Sequence, residues 1–198
     1  MLIPKTASQV LYVKKLLDAR KSIVIASGPA GCGKTLFACQ AAVHSLMTNR
    51  VENIIITRPA VSADEEIGFL PGKLEKKMEP WVKPMFEIFE KERIQKHVEI
   101  VPLAYMRGRT FKKSFIIADE MQNSTQNQMK MVLTRLGDHS KMVVTGDLDQ
   151  SDLHFVNGLH DLFGRIGDRE DLEYLDHIVF SHEDIQRHPA VAEVLSIY

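Results

Sequence analysis

The stretch GPAGCGKT, from Gly28 to Thr35, has the residue types and the spacing of a loop that binds phosphate. It matches the pattern G-x-x-x-x-G-K-[ST] in full, with an apolar run before it and a helical run after it. Glycines allow backbone N–H groups to turn inward around phosphate oxygens, and the following helix adds partial positive charge at its N-terminus. Lys34 would neutralise the β- and γ-phosphates of a nucleotide, and the Thr35 hydroxyl would bind Mg²⁺. The residues expected to contact the nucleotide are Gly28, Pro29, Ala30, Gly31, Cys32, Gly33, Lys34 and Thr35.

A second candidate for chemistry is FIIADEMQN, residues 115–123, where two adjacent acids follow an apolar run. Such acids can be a metal ligand, a base, or only a polar cap on a core strand. Downstream of a phosphate loop, Asp119 suits a carboxylate that holds Mg²⁺ through water. Glu120 would then point toward the γ-phosphate, where it could orient and deprotonate an attacking water. Transfer to a substrate hydroxyl does not need such a glutamate, so the pair favours hydrolysis over a small-molecule kinase reaction.

Two glutamines are candidate sensors of the γ-phosphate. Gln122 follows the acidic pair, and Gln150 lies in VVTGDLDQ together with Asp147. Because ligands bind at the carboxyl edge of open α/β sheets, all three side chains are expected there. An amide can donate to a phosphate oxygen and accept from water. The alternative is that both glutamines are ordinary surface residues.

Short apolar runs that alternate with helical patterns must position these side chains. The pattern indicates an α/β domain with a mostly parallel sheet covered by helices on both faces. The expected strands are residues 22–27, 53–57, 98–103, 114–119, 141–147 and 175–180. The expected helices are residues 6–20, 34–47, 125–137 and 183–198.

Residues 58–97 are the least regular part of the chain and are interpreted as an insertion or irregular region. Met78, Trp81, Met85 and Phe89 fall near helical spacing, which favours a helix packed on the core. The alternative is an insertion that presents Trp81 and Phe86 to a partner or to nucleic-acid bases.

Length and charge limit the remaining possibilities. The 198 residues suit one domain, and no apolar run approaches the ~20 residues of a membrane span. The first residues, MLIPKTASQV, lack the apolar core of a signal peptide, so a cytoplasmic protein is expected. The net charge is −1, so any contact with nucleic acid must come from a local basic patch.

In combination, the motifs resemble those of the PhoH-like ATPases, over nearly the whole chain from Pro4 to Tyr198. The segments that carry the resemblance are GPAGCGKT, TRPAV, GFLPG, YMRGRTF, IADEMQN, MKMVLTRLG, VVTGDLDQSDL and DIQRHP. The resemblance implies one RecA-like P-loop domain over 1–198 that binds and hydrolyses ATP with Mg²⁺, with a role in RNA metabolism. Met121 departs from the small residue common at its position, and little effect on chemistry is expected. By the same resemblance, Gln9 matches a glutamine that reads the adenine edge.

The related helicases use two RecA-like domains, the second of which supplies arginines to the γ-phosphate, whereas this chain has room for one. Arg187 in DIQRHP is a candidate within the same chain, and Arg135 in LTRLG is a candidate toward a neighbouring chain. Either residue could take either role, and the plain alternative for Arg135 is a surface cation at a helix C-terminus, where the helix dipole favours it. A residue supplied to a neighbour requires a closed head-to-tail assembly, so a homo-oligomeric ring is expected, and by family analogy a hexamer.

For nucleic acid, the best candidate is MRGRTFKK, which contains Arg107, Arg109, Lys112 and Lys113 around Phe111. Cations beside an aromatic ring suit phosphate neutralisation with base stacking, while a solvated turn is the plain alternative. The first hypothesis is therefore an ATPase coupled to single-stranded RNA or an RNA-processing protein. The second is an ATP-controlled oligomeric adaptor with incidental turnover. ATP-driven unwinding is expected less than ATPase activity.

Overall fold

The computed structural model describes residues 3–59, 74–151, 156–167, 169, 171–188 and 190–191, with the side chains of 74–77 and 79 excepted. Within these ranges the helices are α1 (Ala7–Leu17), α2 (Lys34–Met47), α3 (Leu74–Lys91), α4 (Gln126–Leu133) and α5 (Gly158–Ile166). The strands are β1 (Ile23–Ser27), β2 (Asn53–Thr57), β3 (Val98–Ile100), β4 (Ser114–Ala118), β5 (Lys141–Gly146) and β6 (Leu175–Val179). Short 3-10 turns span Gln95–His97, Leu103–Met106, Met121–Asn123 and His182–Asp184.

All the described strands pair in parallel in one sheet with the order β3-β2-β4-β5-β1-β6. The carboxyl ends of the strands therefore meet at one edge, here called the carboxyl edge, and the opposite edge is the amino edge. The strand that precedes the phosphate loop, β1, and the strand that precedes the acidic pair, β4, both flank β5. This order brings the two candidate motifs to the same stretch of the carboxyl edge.

Helices cover both faces of the sheet, as parallel strands with apolar residues on both sides require. One face is packed by α1, α2 and α3, with Tyr12, Phe89 and Phe115 among its fully buried side chains. The other face is packed by α4 and α5, with Met121 and Leu159 in its core. The predicted α/β architecture, a parallel sheet with helices on both faces, is confirmed.

The region predicted as irregular, 58–97, contains helix α3 from Leu74 onward. Met78, Met85 and Phe89 are buried in the core, while Trp81 is only half-buried. Among the alternatives, the packed helix is therefore correct for this part, and residues 60–73 lie outside the described ranges. Pro80 and Pro84 lie inside the helix on positions that the structure leaves exposed.

Several elements differ from the expectations, and helices α1 and α4 end at Leu17 and Leu133, earlier than predicted. The predicted helix 183–198 is wrong for residues 185–188, because after the turn His182–Asp184 the chain becomes extended at Ile185. Helix α5 was not predicted, although Asn157 caps it by accepting from the N–H of His160 at 2.8 Å. Strand β3 ends at Ile100, earlier than expected, and Pro102 follows. Among the helices of the described residues, none has the length and apolar character needed to cross a membrane.

Candidate functional site

The phosphate loop begins where β1 ends and closes at the first residue of α2. Gly28, Gly31 and Gly33 have φ angles of +142°, +91° and +92°, which L side chains rarely adopt. Space excludes a side chain as well: a Cβ at Gly28 would lie 2.6 Å from the carbonyl oxygen of Phe180. The glycines are thus needed both for the turn and for close packing of the loop against its neighbours.

Lys34 lies over this loop. Its ammonium group donates hydrogen bonds to the carbonyl oxygens of Gly28 and, at 2.9 Å, Pro29. The Sγ atom of Cys32 lies 3.8 Å from the same nitrogen. The loop carbonyl oxygens therefore hold the Lys34 ammonium group beside the phosphate loop, where the predicted contact with phosphate requires a positive charge.

Thr35 and Asp119 meet across the two motifs. The Thr35 hydroxyl donates to Oδ1 of Asp119 at 2.8 Å, and the Thr145 hydroxyl on β5 donates to the same oxygen. The backbone N–H of Asp119 donates to the carbonyl oxygen of Thr57 at 2.9 Å, which extends the pairing of β4 with β2. Three neighbouring strands thus fix the position of the Asp119 carboxylate.

The Asp119 side chain is strongly shielded, with 4% of the residue exposed. Burial raises its pKa above the usual range, and the nearby Glu120 charge raises it further. The hydroxyls of Thr145 and Thr35 and the positive charge of Arg58 oppose that rise. A buried carboxylate whose ionised form is disfavoured gains most from a bound cation, so the environment fits a metal ligand.

Glu120 occupies a strained backbone position at the end of β4. Its φ of 54° and ψ of 39° are left-handed, which is uncommon for a residue other than glycine and costs roughly 1–3 kcal/mol. The 3-10 turn Met121–Asn123 follows directly. Such strain is concentrated at functional sites, and here it directs the chain so that Glu120 and Gln122 approach each other.

Gln122 is buried, with 4% exposed, and both ends of its side-chain amide are bonded. Its Nε2 donates to Oε2 of Glu120 at 2.6 Å, and its Oε1 accepts from the backbone N–H of Asp147 at 3.2 Å. The alternative interpretation of Gln122 as an ordinary surface residue is therefore wrong. The amide lies between the candidate base and the end of β5.

Gln150 and Asp147 follow β5 at the carboxyl edge. Asp147 is buried, with 6% exposed, and burial raises the pKa of its carboxyl. Gln150 is exposed. The predicted location at this edge agrees with the structure, and the sensor role of Gln150 stays a prediction.

Helix α1 contacts the back of the phosphate loop through two side chains. Gln9 is buried; its Nε2 donates to the carbonyl oxygen of Cys32 at 3.0 Å, and its Oε1 accepts from the N–H of Lys5 at 2.8 Å. The Tyr12 hydroxyl donates to the carbonyl oxygen of Lys34 at 3.2 Å. Gln9 is therefore beside the loop as predicted, with its amide bonded to the chain's own backbone, and adenine recognition stays a prediction.

Arg187 lies against the opposite flank of the loop. A Cβ at Gly31 would meet its Nε at 2.6 Å, and the N–H of Gln186 donates to the carbonyl oxygen of Gly31 at 3.0 Å. The guanidinium is thus beside the phosphate loop of its own chain. This location agrees with the interpretation of Arg187 as an arginine that acts within one chain.

Arg135 lies at the amino edge, because its carbonyl oxygen accepts from the N–H of Phe111, just before β4. Its guanidinium donates to the carbonyl oxygens of Met131 (3.1 Å) and Arg109 (3.2 Å). The five residues of β4 separate that edge from Asp119 by about 16 Å. The alternative in which Arg135 acts on the phosphate loop of its own chain is therefore wrong. Its bond to the carbonyl oxygen of Met131 fits a surface cation at the end of α4, and a role toward a neighbouring chain stays a prediction.

The basic segment MRGRTFKK reaches the amino edge at its end, where the carbonyl oxygen of Lys113 accepts from the N–H of Glu52 just before β2. Phe111 is buried, with 4% exposed, beneath the Arg109 guanidinium at 4.5 Å from its ring centroid. The prediction that bases stack on Phe111 is therefore wrong, because its ring is buried in the core. Three of the four predicted cations have acidic partners: Arg109 with Glu99 (2.8 Å), Lys112 with Asp138 (3.4 Å) and Lys113 with Glu52 (2.6 Å). Arg107 is exposed.

Several residues at the site were not singled out from the sequence. Thr145 supplies the second hydrogen bond to Asp119, and Arg58 brings a positive charge near it from the end of β2. Asp184 is buried after β6 and bonds to Thr6 at the start of α1. The sequence feature that could have pointed to Thr145 is its position just before Gly146 and Asp147 in VVTGD. For Asp184, the only such feature is its position in DIQRHP.

The oxygen donors at this edge fit a magnesium ion. Thr35 offers a hydroxyl and Asp119 a carboxylate, both hard ligands of the kind that Mg²⁺ prefers, and their oxygens are 2.8 Å apart. Together with the loop and Lys34, they bring to one place the groups that the sequence predicted for a nucleotide site.

Comparison with known proteins assigns the chain to a family. A family model described as PhoH-like protein matches residues 1–198. A PhoH-like protein of Mycobacterium tuberculosis (strain ATCC 25618 / H37Rv) is 44% identical over 204 residues, which cover 98% of this chain and 57% of the relative. One from Bacillus subtilis (strain 168) is 42% identical over 206 residues, which cover 98% of this chain and 63% of the relative. This chain thus spans about three fifths of the length of these relatives.

Among solved structures, the Pif1 helicase from Candida albicans aligns with 91% of this chain and 40% of its own. The TM-score is 0.46 and the sequence identity 15%, a likeness too loose to bear on function. The sequence matches are much closer and extend over the full chain, and by them this chain belongs to the family of PhoH-like proteins.

Proposed function

We propose that this chain binds ATP and hydrolyses it with Mg²⁺. The observation that carries the proposal is the hydrogen bond of 2.8 Å between Thr35 of the phosphate loop and Asp119 at the end of β4. It joins the two halves of a nucleotide site, and Glu120 follows in the next position with a strained backbone.

In the proposed reaction, Lys34 and the loop N–H groups bind the β- and γ-phosphates, and Thr35 and Asp119 hold the ion. Bound Mg²⁺ supplies neutralisation of the phosphate charge. Glu120 accepts a proton from a water molecule as the water oxygen bonds to the γ-phosphorus. The bond from that phosphorus to the β,γ-bridging oxygen breaks, and ADP and phosphate are the products.

Charge on the transferring phosphoryl group is stabilised by arginine in this proposal. Arg187 contributes from the same chain, since it lies against Gly31. Arg135 contributes to a neighbouring chain in a head-to-tail ring, by family analogy a hexamer, since it lies at the amino edge. An arginine of this kind is worth about 10³–10⁵ in rate.

We further propose that the nucleotide cycle is coupled to single-stranded RNA or to an RNA-processing protein. Exposed cations of the basic segment, foremost Arg107, support a contact with phosphates and not with bases, because Phe111 is buried.

The test is steady-state ATPase activity of the wild type and of Glu120→Gln, each with and without single-stranded RNA. We expect wild-type turnover that RNA stimulates, and a loss of about a hundredfold or more in the variant. Activity that is lost in the variant but indifferent to RNA contradicts the coupling to RNA. ATP binding without turnover by the wild type contradicts hydrolysis and favours a nucleotide-controlled adaptor.

A further inference from the structure

The Asp184 carboxylate joins two parts of the chain that lie far apart in sequence. Thr6 donates its hydroxyl to Oδ1 of Asp184 at 2.5 Å, and the N–H of Ser181 donates to Oδ2 at 3.0 Å. Thr6 is also the N-cap of α1, whose hydroxyl accepts from the N–H of Gln9 at 3.2 Å. One carboxylate thus lies at the N-terminus of a helix and at the start of the segment that contains Arg187.

The carboxylate is buried, with 4% of Asp184 exposed. Burial opposes ionisation, but hydrogen bonds from Thr6, Ser181 and Ser8 outweigh it and lower the pKa of the Asp184 carboxyl. The partial positive charge at the N-terminus of α1 acts in the same direction. The charge is therefore satisfied by hydroxyl and backbone donors at this helix end.

Three contacts then close a triangle around the phosphate loop. Gln9 on α1 donates to the carbonyl oxygen of Cys32 at 3.0 Å. Gln186, two residues beyond Asp184, donates from its N–H to the carbonyl oxygen of Gly31 at 3.0 Å. The bond between Thr6 and Asp184 is the third side, because it joins the start of α1 to the segment that contains Gln186.

Arg187 follows Gln186, the residue that forms one side of this triangle. Its Nε, Cδ and Cγ all lie within 3.0 Å of where a Cβ at Gly31 would be. Arg187 is exposed, and in the described part of the chain it has no acidic partner within ion-pair distance. Its backbone, and not a salt bridge, is what holds the guanidinium beside the loop.

We propose that Asp184 is a positioning residue: by anchoring residues 181–188 to the N-terminus of α1 through Thr6, it fixes the Arg187 guanidinium beside the phosphates. This inference rests on the proposed ATP hydrolysis. It assigns Asp184 no contact with the substrate, so its effect on the reaction must pass through Arg187.

The first experiment is a double-mutant cycle on kcat with Asp184→Asn, Arg187→Ala and the combined variant. We expect Asp184→Asn to lower kcat about tenfold with a smaller change in KM for ATP, and to have no further effect when Arg187 is already alanine. A loss of the same factor in both backgrounds overturns the inference, because Asp184 would then act independently of Arg187. A wild type that does not hydrolyse ATP is a different result, since it removes the proposed function itself.

The second experiment measures the position of the segment without any turnover. Trypsin cleaves after exposed arginines, and Arg187 is followed by His188. Limited proteolysis with mass spectrometry should show cleavage after Arg187 about tenfold faster in Asp184→Asn and Thr6→Val than in the wild type. Thr6→Ser keeps the hydroxyl and should restore the wild-type rate. Cleavage after Arg165 on α5 is the internal control.

Unchanged cleavage after Arg187 in Asp184→Asn overturns the inference, as does equal acceleration at Arg165, which reports general loosening. Equal behaviour of Thr6→Val and Thr6→Ser has the same consequence, because only the hydroxyl distinguishes them as partners of Asp184.

Discussion

The side-chain amide of Gln122 donates to Oε2 of Glu120 at 2.6 Å and accepts from the backbone N–H of Asp147 at 3.2 Å. Glu120 is therefore tied to the end of β5 through one buried amide. We predict that Gln122→Ala lowers kcat for ATP hydrolysis about ten- to a hundredfold with little change in KM. A hydrogen bond to a charged group is worth roughly 1.5–3 kcal/mol, which corresponds to that range.

Steady-state kinetics will check this prediction, with Gln95→Ala at the exposed turn near the amino edge as the matched control. A large rise in KM with unchanged kcat would instead indicate that Gln122 binds ATP without orienting Glu120.

Asp119→Asn should stabilise the fold while abolishing hydrolysis. Burial, with the neighbouring Glu120 charge, raises the pKa of Asp119, so the folded protein retains this proton to a higher pH than the unfolded chain. Stability is then lost as pH rises through the raised pKa, because ionisation of Asp119 is less favourable in the folded protein than in the unfolded chain. Asparagine keeps an oxygen acceptor for Thr35 and Thr145 but carries no charge.

Thermal unfolding without nucleotide at pH 7 is the measurement for Asp119→Asn, and we expect a higher melting temperature than for the wild type. Thr145→Val, which removes a donor to the same oxygen, should have a lower one. A melting temperature of Asp119→Asn below that of the wild type contradicts the prediction.

Arg135→Ala tests whether sites are shared between chains. Because Arg135 lies at the amino edge, it can reach only the phosphate loop of a neighbour. In mixtures with the wild type, we expect ATPase activity that is not proportional to the wild-type content. The reason is that each site would combine the phosphate loop of one chain with Arg135 of its neighbour, so a variant chain would impair a site on the adjacent wild-type chain. A strictly proportional rate contradicts a shared site.

Arg107→Ala should weaken binding to single-stranded RNA at every sequence. Arg107 is exposed, and loss of one phosphate contact reduces the slope of log affinity against log salt by about 1. Fluorescence anisotropy over a salt series measures both quantities. Arg20→Ala, an exposed arginine paired with Asp18, is the control. Absence of binding by the wild type at low salt would remove the proposed RNA contact.

Lys141 gives the fold a distinct pH dependence. Burial lowers its pKa to about 8, from 10.5, and its ammonium donates to the carbonyl oxygens of Lys15 (3.1 Å) and Asp18 (2.9 Å). Between about pH 8 and pH 10.5 the unfolded chain holds a proton on Lys141 that the folded protein has released, so the stability of the fold should rise with pH. The gain from pH 7 to 10 should be about 1–3 kcal/mol larger for the wild type than for Lys141→Met.

Urea unfolding of both proteins at the two pH values measures this difference, and the other titrating groups cancel between them. An equal change in both proteins would show that the pKa of Lys141 is ordinary.

Local sequence patterns were sufficient for the elements that carry the phosphate loop. Strand β2 and helix α2 begin and end where predicted, because continuous apolar runs and the loop consensus mark their limits. The meeting of Thr35 with Asp119 also followed from the sequence, since parallel strands bring their carboxyl ends to one edge.

What the sequence did not reveal depends on contacts between distant segments. Phe111 has cations on both sides in sequence, yet it enters the core because its backbone pairs with Arg135 and Gly137 at the amino edge. Residues 185–188 have helical character, yet the N–H of Gln186 donates to the carbonyl oxygen of Gly31 in the phosphate loop. The bond between the Gln122 amide and the N–H of Asp147 was not predicted, because the two residues lie at the ends of neighbouring strands and far apart in sequence.

The bond between Thr6 and Asp184 also sets the order in which the site is completed. It spans 178 positions of the chain, and contacts that close long loops form late in folding because the loop entropy must be offset first. During synthesis, the phosphate loop emerges long before Asp184 does. We therefore expect a nascent chain that carries the whole phosphate loop but lacks Asp184 to bind nucleotide weakly. Tight nucleotide binding would then indicate a chain that has folded as far as β6 and Asp184.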